Sequence, residues 1–442
     1  MADPVVEAVA RAVRNAPASG AEPGLMHWRR AMVWAAVAAV LIAAPQVFNQ
    51  GFAVSMLSQM GIAIIFALSY NMLLGQTGML SFGHAVYFGL GAFFAAHALN
   101  AIGAGSLHWP VSLLPLVGAA AGLAFGLVFG YVTTKHSGTP FAMISLGIAE
   151  MVAACSLMFP SFFGGEGGIS TDRVVGDKVM GVDFGPGVQV YYLIAAWCFV
   201  CMILMFALTQ TPLGRMANAV RDNPERVKFV GYNPTRIRFL MLALAGMFAG
   251  IAGALEVINF ELITAERLGT AASGTVLLMA FIGGVGHFYG PIIGAILITF
   301  LQSALSNYTQ AWLLYFGLFF LVMILFAPGG IASLVTLHKP AVQTRLLGRL
   351  ALPYAGAAVA GAVLLAGLIM AVEMFYHYET KREQVGAVMS LFGQQFDTTA
   401  TGPWLMAVAL LVVGGVLLRL AARPIGAAWT EIAAAVNRGQ GN

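Results

Sequence analysis

Apolar residues run through this chain in long blocks, without the two-residue alternation of a half-buried strand. Twelve blocks stand out, near 31–49, 52–74, 84–103, 109–133, 141–163, 188–209, 239–258, 271–285, 290–306, 311–327, 353–376 and 403–419. Roughly 20 apolar residues in a helix cross the hydrocarbon of a bilayer. A membrane barrel would instead alternate polar and apolar residues over strands of about ten residues, and no such run occurs. The pattern predicts an all-α, polytopic helical membrane protein. Composition agrees: 60% of the 442 residues are hydrophobic, only 9% are charged, and mean hydropathy is +0.85. Ordinary soluble domains carry far more charge.

Charge adds orientation. Arg11, Arg14, Arg29 and Arg30 precede the first block, and Lys135 lies between the fourth and fifth. Six basic residues fall between the sixth and seventh blocks. Lys339, Arg345 and Arg349 follow the tenth, and Arg419, Arg423 and Arg438 follow the last. If twelve spans alternate, all of these share one face, and the bias of basic loops makes that face cytoplasmic with both termini inside. The loops near 164–187, 259–270 and 377–402 carry Arg173, Lys178, Arg267, Lys381 and Arg382 but more acids than bases. The +4 net charge records this asymmetry and implies no nucleic-acid partner. Residues 1–30 form a polar leading segment without the short apolar core and small-residue site of a cleaved signal. Val5, Val9 and Val13 beside Arg11 and Arg14 fit an amphipathic helix on the inner leaflet, and equally an unstructured tail.

Catalytic and cofactor chemistry finds no footing. Cys155, Cys198 and Cys201 all fall in apolar blocks and read as packing residues. The eight histidines are scattered, so no metal ligand set is predicted. None of the five lysines follows a glycine, which excludes the Gly-Lys of a phosphate-binding loop. If ATP drives this protein, another chain binds it. Glu150, His84 and Glu256 are the main ionisable candidates inside the membrane, few for a proton- or sodium-coupled carrier.

The most informative polar stretch is Thr211 to Arg238, which holds six of the 22 basic residues. Thr211 can cap a helix beginning at Pro212, and Asn223 a second beginning at Pro224, with Gly231 ending it. A short capped helix at a membrane face reads as a docking element, against the plainer reading of a loop that only fixes topology. Glycine marks two breaks. Gly75 to His84, with Gln76, Thr77, Gly78, Ser81 and Gly83, makes a poor continuous helix, and Gly283 to Pro291 repeats the theme with Gly284, Gly286 and His287. Irregular backbone at membrane depth must be buried or line a cavity, so each break faces a transport route or is a cytoplasmic turn. Gly126/Gly130, Gly246/Gly250 and Ala357/Gly361 have the small-residue spacing of close helix contact.

Taken together, Gly75 to Gly83, Ile144 to Glu150 with Gly164 to Ile169, the 211–238 segment, Gly283 to Pro291 and Ala327 to Ile331 resemble the branched-chain amino-acid permeases of ATP-binding-cassette importers, of the type called LivM. The likeness covers roughly residues 50–335 in order. It implies a permease domain over 31–335, with about ten spans. It also implies a second permease subunit, two cytoplasmic ATPases, a periplasmic solute-binding protein, and a bacterial inner-membrane location in contact with lipid. By the same likeness the coupling helix lies at Pro224–Val230, with Asn223 and Gly231 as caps. Arg221, Asp222, Glu225 and Arg226 would make polar contacts, and Val227 and Val230 an apolar ridge. Gln76, Gly78, Ser81, Gly83, His84, Glu150, Gly284, Gly286 and His287 would border the translocation pathway. Glu166, Asp172, Glu261, Glu266 and Arg267 would meet the binding protein. No catalytic residue, cofactor or metal is expected.

The sequence departs from this family after residue 340, where 336–442 adds two spans and a polar outer loop. The default solute by resemblance is a branched-chain or other small amino acid, with urea, short amides and small carboxylates as alternatives. A stand-alone carrier or channel is disfavoured by the docking helix.

Overall fold

The computed structural model describes residues 23–175, 183–327, 329–343, 347–382 and 386–439. The leading-segment helix or tail at Val5–Val13, with Arg11 and Arg14, lies outside the described residues, as do Lys178 and Arg345. Each of the twelve apolar blocks is a helix. They are α1 (Pro23–Val47), α2 (Gly51–Thr77), α3 (Ala85–Gly103), α4 (Leu114–Thr133), α5 (Thr139–Met158) and α6 (Gly187–Gln210). After the polar helices α7 (Pro212–Asp222) and α8 (Pro224–Phe229) come α9 (Pro234–Phe260), α10 (Thr270–Gly283), α11 (Gly290–Tyr308) and α12 (Trp312–Phe326). A helix that the hydropathy pattern did not announce, α13 (Gly330–Gln343), precedes α14 (Leu347–Tyr376) and α15 (Thr401–Gly439). Among the described residues ten helices are long and apolar enough to cross a membrane, and two shorter apolar ones cover Ala31–Val47 and Thr270–Gly283. The protein is a polytopic all-α membrane protein.

The chain forms two compact units. One comprises Ala21–Asn307 and Leu318–Ser333, the other Tyr308–Gly317 and Leu334–Asn442. Tyr308–Gly317 groups with the C-terminal residues. Its side chains explain why: Gln310 Oε1 accepts the Tyr376 hydroxyl at 2.7 Å, and the Tyr315 hydroxyl donates to Glu373 at 2.9 Å.

In the larger unit α9 is the central helix, packed on α4, α3 and α2. Backbones meet where α4 crosses α9: a Cβ at Gly122 would strike the Gly246 carbonyl, and one at Gly250 the Gly118 carbonyl. Lipid tails are as apolar as leucine, so close van der Waals approach between small residues drives such helix pairs. Gly126 and Gly130 continue the seam along Ala243 and Leu242, whereas Gly361 has nothing within 4 Å of a Cβ position. Two outer connections are joined as well. Strand β1 (Ile169–Ser170) pairs antiparallel with β2 (Leu262–Ile263). Beside the pair, Arg173 donates to the carbonyls of Phe184, Gly185 and Asn259 and lies 3.8 Å from Glu261.

In the smaller unit α14 and α15 pack along each other. His338, Tyr354 and Trp429 form a polar-aromatic knot, with His338 Nε2 2.8 Å and Trp429 Nε1 3.3 Å from the tyrosine hydroxyl. The polar loop between the helices holds a hairpin, β3 (Val388–Leu391) and β4 (Gln394–Asp397). Its two turn residues, Phe392 and Gly393, both have positive φ, as the right-handed twist of such hairpins favours. The hydroxyl and amide of Thr399 hold the Asp397 carboxyl below the usual carboxylate range.

Candidate functional site

The polar segment folds by three repetitions of one local device. Thr211, Asn223 and Asn233 each stand before a proline, and each side chain accepts a backbone N–H from the first turn of the helix that follows. The donors are Gly214 at 3.3 Å, Arg226 at 2.9 Å and Thr235 at 2.9 Å. The cap supplies an acceptor for an otherwise orphaned amide, and proline there loses nothing because its N–H would be unpaired anyway. Helix α8 ends at Phe229, and Gly231 takes φ +91°. Phe229, Val230 and Tyr232 are left exposed, at 87%, 69% and 49%. Val227 is 5% exposed and packs inward, which corrects the expected Val227–Val230 ridge. Val230 has already left the helix, so three-residue spacing no longer puts both on one face. The apolar surface is Phe229–Val230–Tyr232, flanked by exposed Asp222, Asn223, Glu225 and Arg226.

Arg221, exposed at the end of α7, also bonds back to its own chain. Its Nη1 donates to the Gly75 carbonyl in the last turn of α2, and its Nε donates to Asp222 Oδ1 at 3.1 Å. The last carbonyls of a helix lack intrahelical partners and carry partial negative charge, so a guanidinium is well placed there. Arg221 Cγ lies 3.1 Å from the position a Cβ would take on Gly78, and Nη1 4.0 Å from that of Gly286. One side chain at the end of α7 thus bonds to the first glycine break and lies near the second.

The first break is built into the protein. Gly78 (φ +69°) ends α2, and its N–H reaches the Leu73 and Leu74 carbonyls. Side chains from three helices satisfy the backbone beyond it. The Tyr70 hydroxyl donates to the Ser81 carbonyl at 3.0 Å, Ser145 Oγ accepts the Phe82 amide at 3.1 Å, and Ser273 Oγ accepts the Ala85 amide at 3.0 Å. A Cβ on Gly83 would strike the Ser145 carbonyl. His84 is fully buried, 2.9 Å from Ser69 Oγ, stacked on Phe66 and edge-on to Tyr70 and Tyr87. Gln76 is buried, and its Oε1 has no hydrogen-bond partner. In the second break Gly284 (φ +116°) is pressed against Gly329 and Ala332. Gly286 and half-buried His287 stand more open, the His287 ring 5.4 Å from Tyr289. Glu150 is exposed and accepts the Thr270 hydroxyl at 3.0 Å, one residue beyond Ala149, which lies against Gly83.

On the other side of the helices, Glu166, Asp172 and Glu266 are exposed. Glu261 is turned to the Arg173 clasp instead, accepting the Arg173 amide at 3.0 Å. Arg267 points to Glu256, 2.8 Å away, in a cavity of about 330 Å³ framed by α2, α9, α10 and α11. Glu256 was visible in sequence as an acid in an apolar block, and an acid there calls for a base. Nothing local in the sequence said that Arg267 would be the base.

A family model described as the permease component of the branched-chain amino acid transport system matches residues 52–328. The chain is 26% identical over 317 residues to the high-affinity branched-chain amino acid transport system permease protein LivM of Salmonella typhimurium, covering 67% of this chain and 73% of that one. It is likewise 26% identical over 291 residues to LivM of Escherichia coli, covering 61% and 67%. The galactose/methyl galactoside import permease protein MglC of Salmonella typhimurium is 28% identical over 270 residues, covering 57% and 78%. No solved structure matches. With 52–328 spanning more than half of the chain, in the region that holds both glycine breaks and the capped polar helices, the protein belongs to the family of branched-chain amino acid transport system permease components.

Proposed function

We infer that this chain is the translocating subunit of a binding-protein-dependent importer of branched-chain or other small amino acids in a bacterial inner membrane. ATP would be hydrolysed on two separate cytoplasmic subunits, and a second permease would complete the passage. Both termini would face the cytoplasm. The observation that carries this reading is the mechanical one. The exposed Phe229–Val230–Tyr232 surface closes a capped helix, and Arg221, three residues before that helix, is bonded to the end of α2 and lies beside both glycine breaks. A push on α8 is thereby delivered to the two places where membrane helices are interrupted. Closure of the ATPases on ATP would shift α8, move the breaks and open the passage toward a loaded binding protein docked near Glu166, Asp172 and Glu266. Nothing covalent happens to the solute, so the chain needs no catalytic group. The resemblance to sugar import permeases makes a sugar the competing solute.

The test is reconstitution of the importer with Phe229→Asp and Val230→Asp together. A charged pair in the core of a docking surface should cut ATPase co-purification and uptake by at least about tenfold while the chain stays folded. Undiminished uptake and co-purification would remove α8 from the role. Thiol labelling of Gly231→Cys from the cytoplasm only, and of Thr399→Cys from outside only, checks the orientation.

A further inference from the structure

Glu256 lies in the last two turns of α9, is only 6% exposed and faces the 330 Å³ cavity. Arg267, half exposed, approaches its Oε1 at 2.8 Å, but not along a hydrogen-bonding direction, and no other donor reaches that buried oxygen. The two charges are neighbours without being locked together. The rest of the wall is mixed: Gln59, Gln302 and Ser303 bring polar groups, and Ile62, Val276 and Met279 an apolar surface. Its size is at the lower end of the roughly 300–1,000 Å³ of small-molecule sites.

Resting on the permease reading above, we propose that Glu256 and Arg267 form a zwitterion site. An α-amino acid inserts between them, with its ammonium on Glu256, its carboxylate on Arg267 and an aliphatic side chain against Ile62, Val276 and Met279. The cost of leaving the buried Glu256 carboxylate without a counter-charge selects for this class. Parting the pair around a neutral sugar leaves a carboxylate buried and uncompensated, which is strongly unfavourable. A simple carboxylate would satisfy Arg267 and leave Glu256 bare, and a simple amine would do the reverse. Only a solute carrying both charges replaces both halves of the contact. This chain would then add its own discrimination between amino acids and sugars, beyond whatever a binding protein selects.

The test uses the assembled importer in lipid nanodiscs without binding protein, in a Cys155→Ser background carrying Ser303→Cys on the cavity wall. Alkylation of the introduced thiol by an impermeant reagent is timed with L-leucine, leucinamide, 4-methylpentanoate or D-galactose present. L-leucine should slow alkylation by at least about tenfold, and the other three should not. Glu256→Gln and Arg267→Gln should each abolish the leucine effect. The comparison of analogues needs neither of these variants, so a folding defect in them cannot mask the answer. Equal protection by leucinamide, 4-methylpentanoate or galactose would overturn the site, as would protection that survives Glu256→Gln. A thiol that reacts in the isolated chain but never in the assembled importer would also overturn it, by showing that the cavity is a subunit contact. ATP-driven leucine uptake without protection would sink this inference and leave the permease reading standing. Galactose uptake without leucine uptake would instead sink the amino-acid reading itself.

Discussion

The two glycine breaks carry a similar string of residues and fold to opposite ends. Gly83-His84 and Gly286-His287 are the same dipeptide, each followed by a tyrosine within three residues. His84 is a buried peg in an aromatic nest with a serine partner, whereas His287 is half-buried beside one tyrosine. The surroundings make the difference. The first break is enclosed by α2, α5 and α10, each of which returns a side chain to one freed backbone group. The second has an enclosed end at Gly284 and an open end at Gly286. One joint is therefore held by packing and the other has room to move, with Arg221 between them.

The comparison breaks most directly at Gly83. Gly83→Val drives a side chain into the Ser145 backbone, and overpacking of this kind costs about 1–3 kcal/mol or more. Most of the folded chain should be lost, as read by size-exclusion of a fluorescent fusion, so this variant reports on packing and not on passage. If Gly83→Val folds normally, the first joint is not rigid.

Next come the histidines. His84→Ala empties a buried aromatic site and should cost roughly 2–4 kcal/mol in thermal unfolding, as large-to-small core changes do. His287→Ala should stay within about 0.5 kcal/mol, as is usual away from buried features. Equal losses would mean that the two histidines are equally embedded.

Arg221→Ala acts on the link. Uptake per folded molecule should fall several-fold, to about a tenth at most, while ATPase co-purification stays, because the side chain faces the chain's own helix end. Arg221→Lys should recover only part of the rate, since a single ammonium cannot reproduce the fork that spans Gly75 and Asp222. Loss of ATPase binding in Arg221→Ala would return it to the docking surface.

The smallest effect on uptake is expected at Gly286. A Cβ there meets only Arg221 Nη1 at 4.0 Å, so Gly286→Ala should cost no more than the roughly 1–2 kcal/mol of a non-glycine residue at positive φ. It should slow uptake slightly if the second joint moves.

Much of this was legible before the fold was known, for a definable reason. Apolar blocks and helix caps are local signals, so the twelve apolar helices, ten of them long enough to cross a membrane, and the Thr211 and Asn223 caps could be read from short stretches. Pairings across the chain could not. Nothing near Arg221 points to Gly75, 146 residues away, and nothing near Glu261 points to Arg173. The Glu256–Arg267 contact was half legible, since the acid was conspicuous and its partner was not. The inward turn of Val227 was missed because the helix stops one residue before Val230. Helix α13 escaped because its mixed composition, with His338 and Lys339 in the last turns, falls short of an apolar block.

Helix α9 sets a constraint on how the chain is made. Most of its apolar stretch is shielded by protein, yet it is long and apolar enough to cross a bilayer. The helices that shield it, α2, α3 and α4, are all synthesised earlier. When α9 leaves the ribosome its berth already exists, and the glycine seam at Gly118 and Gly122 admits a backbone without waiting for side chains to rearrange. A bulkier residue on that seam would therefore do its damage during biogenesis, as a helix stranded in lipid, before any question of transport arises.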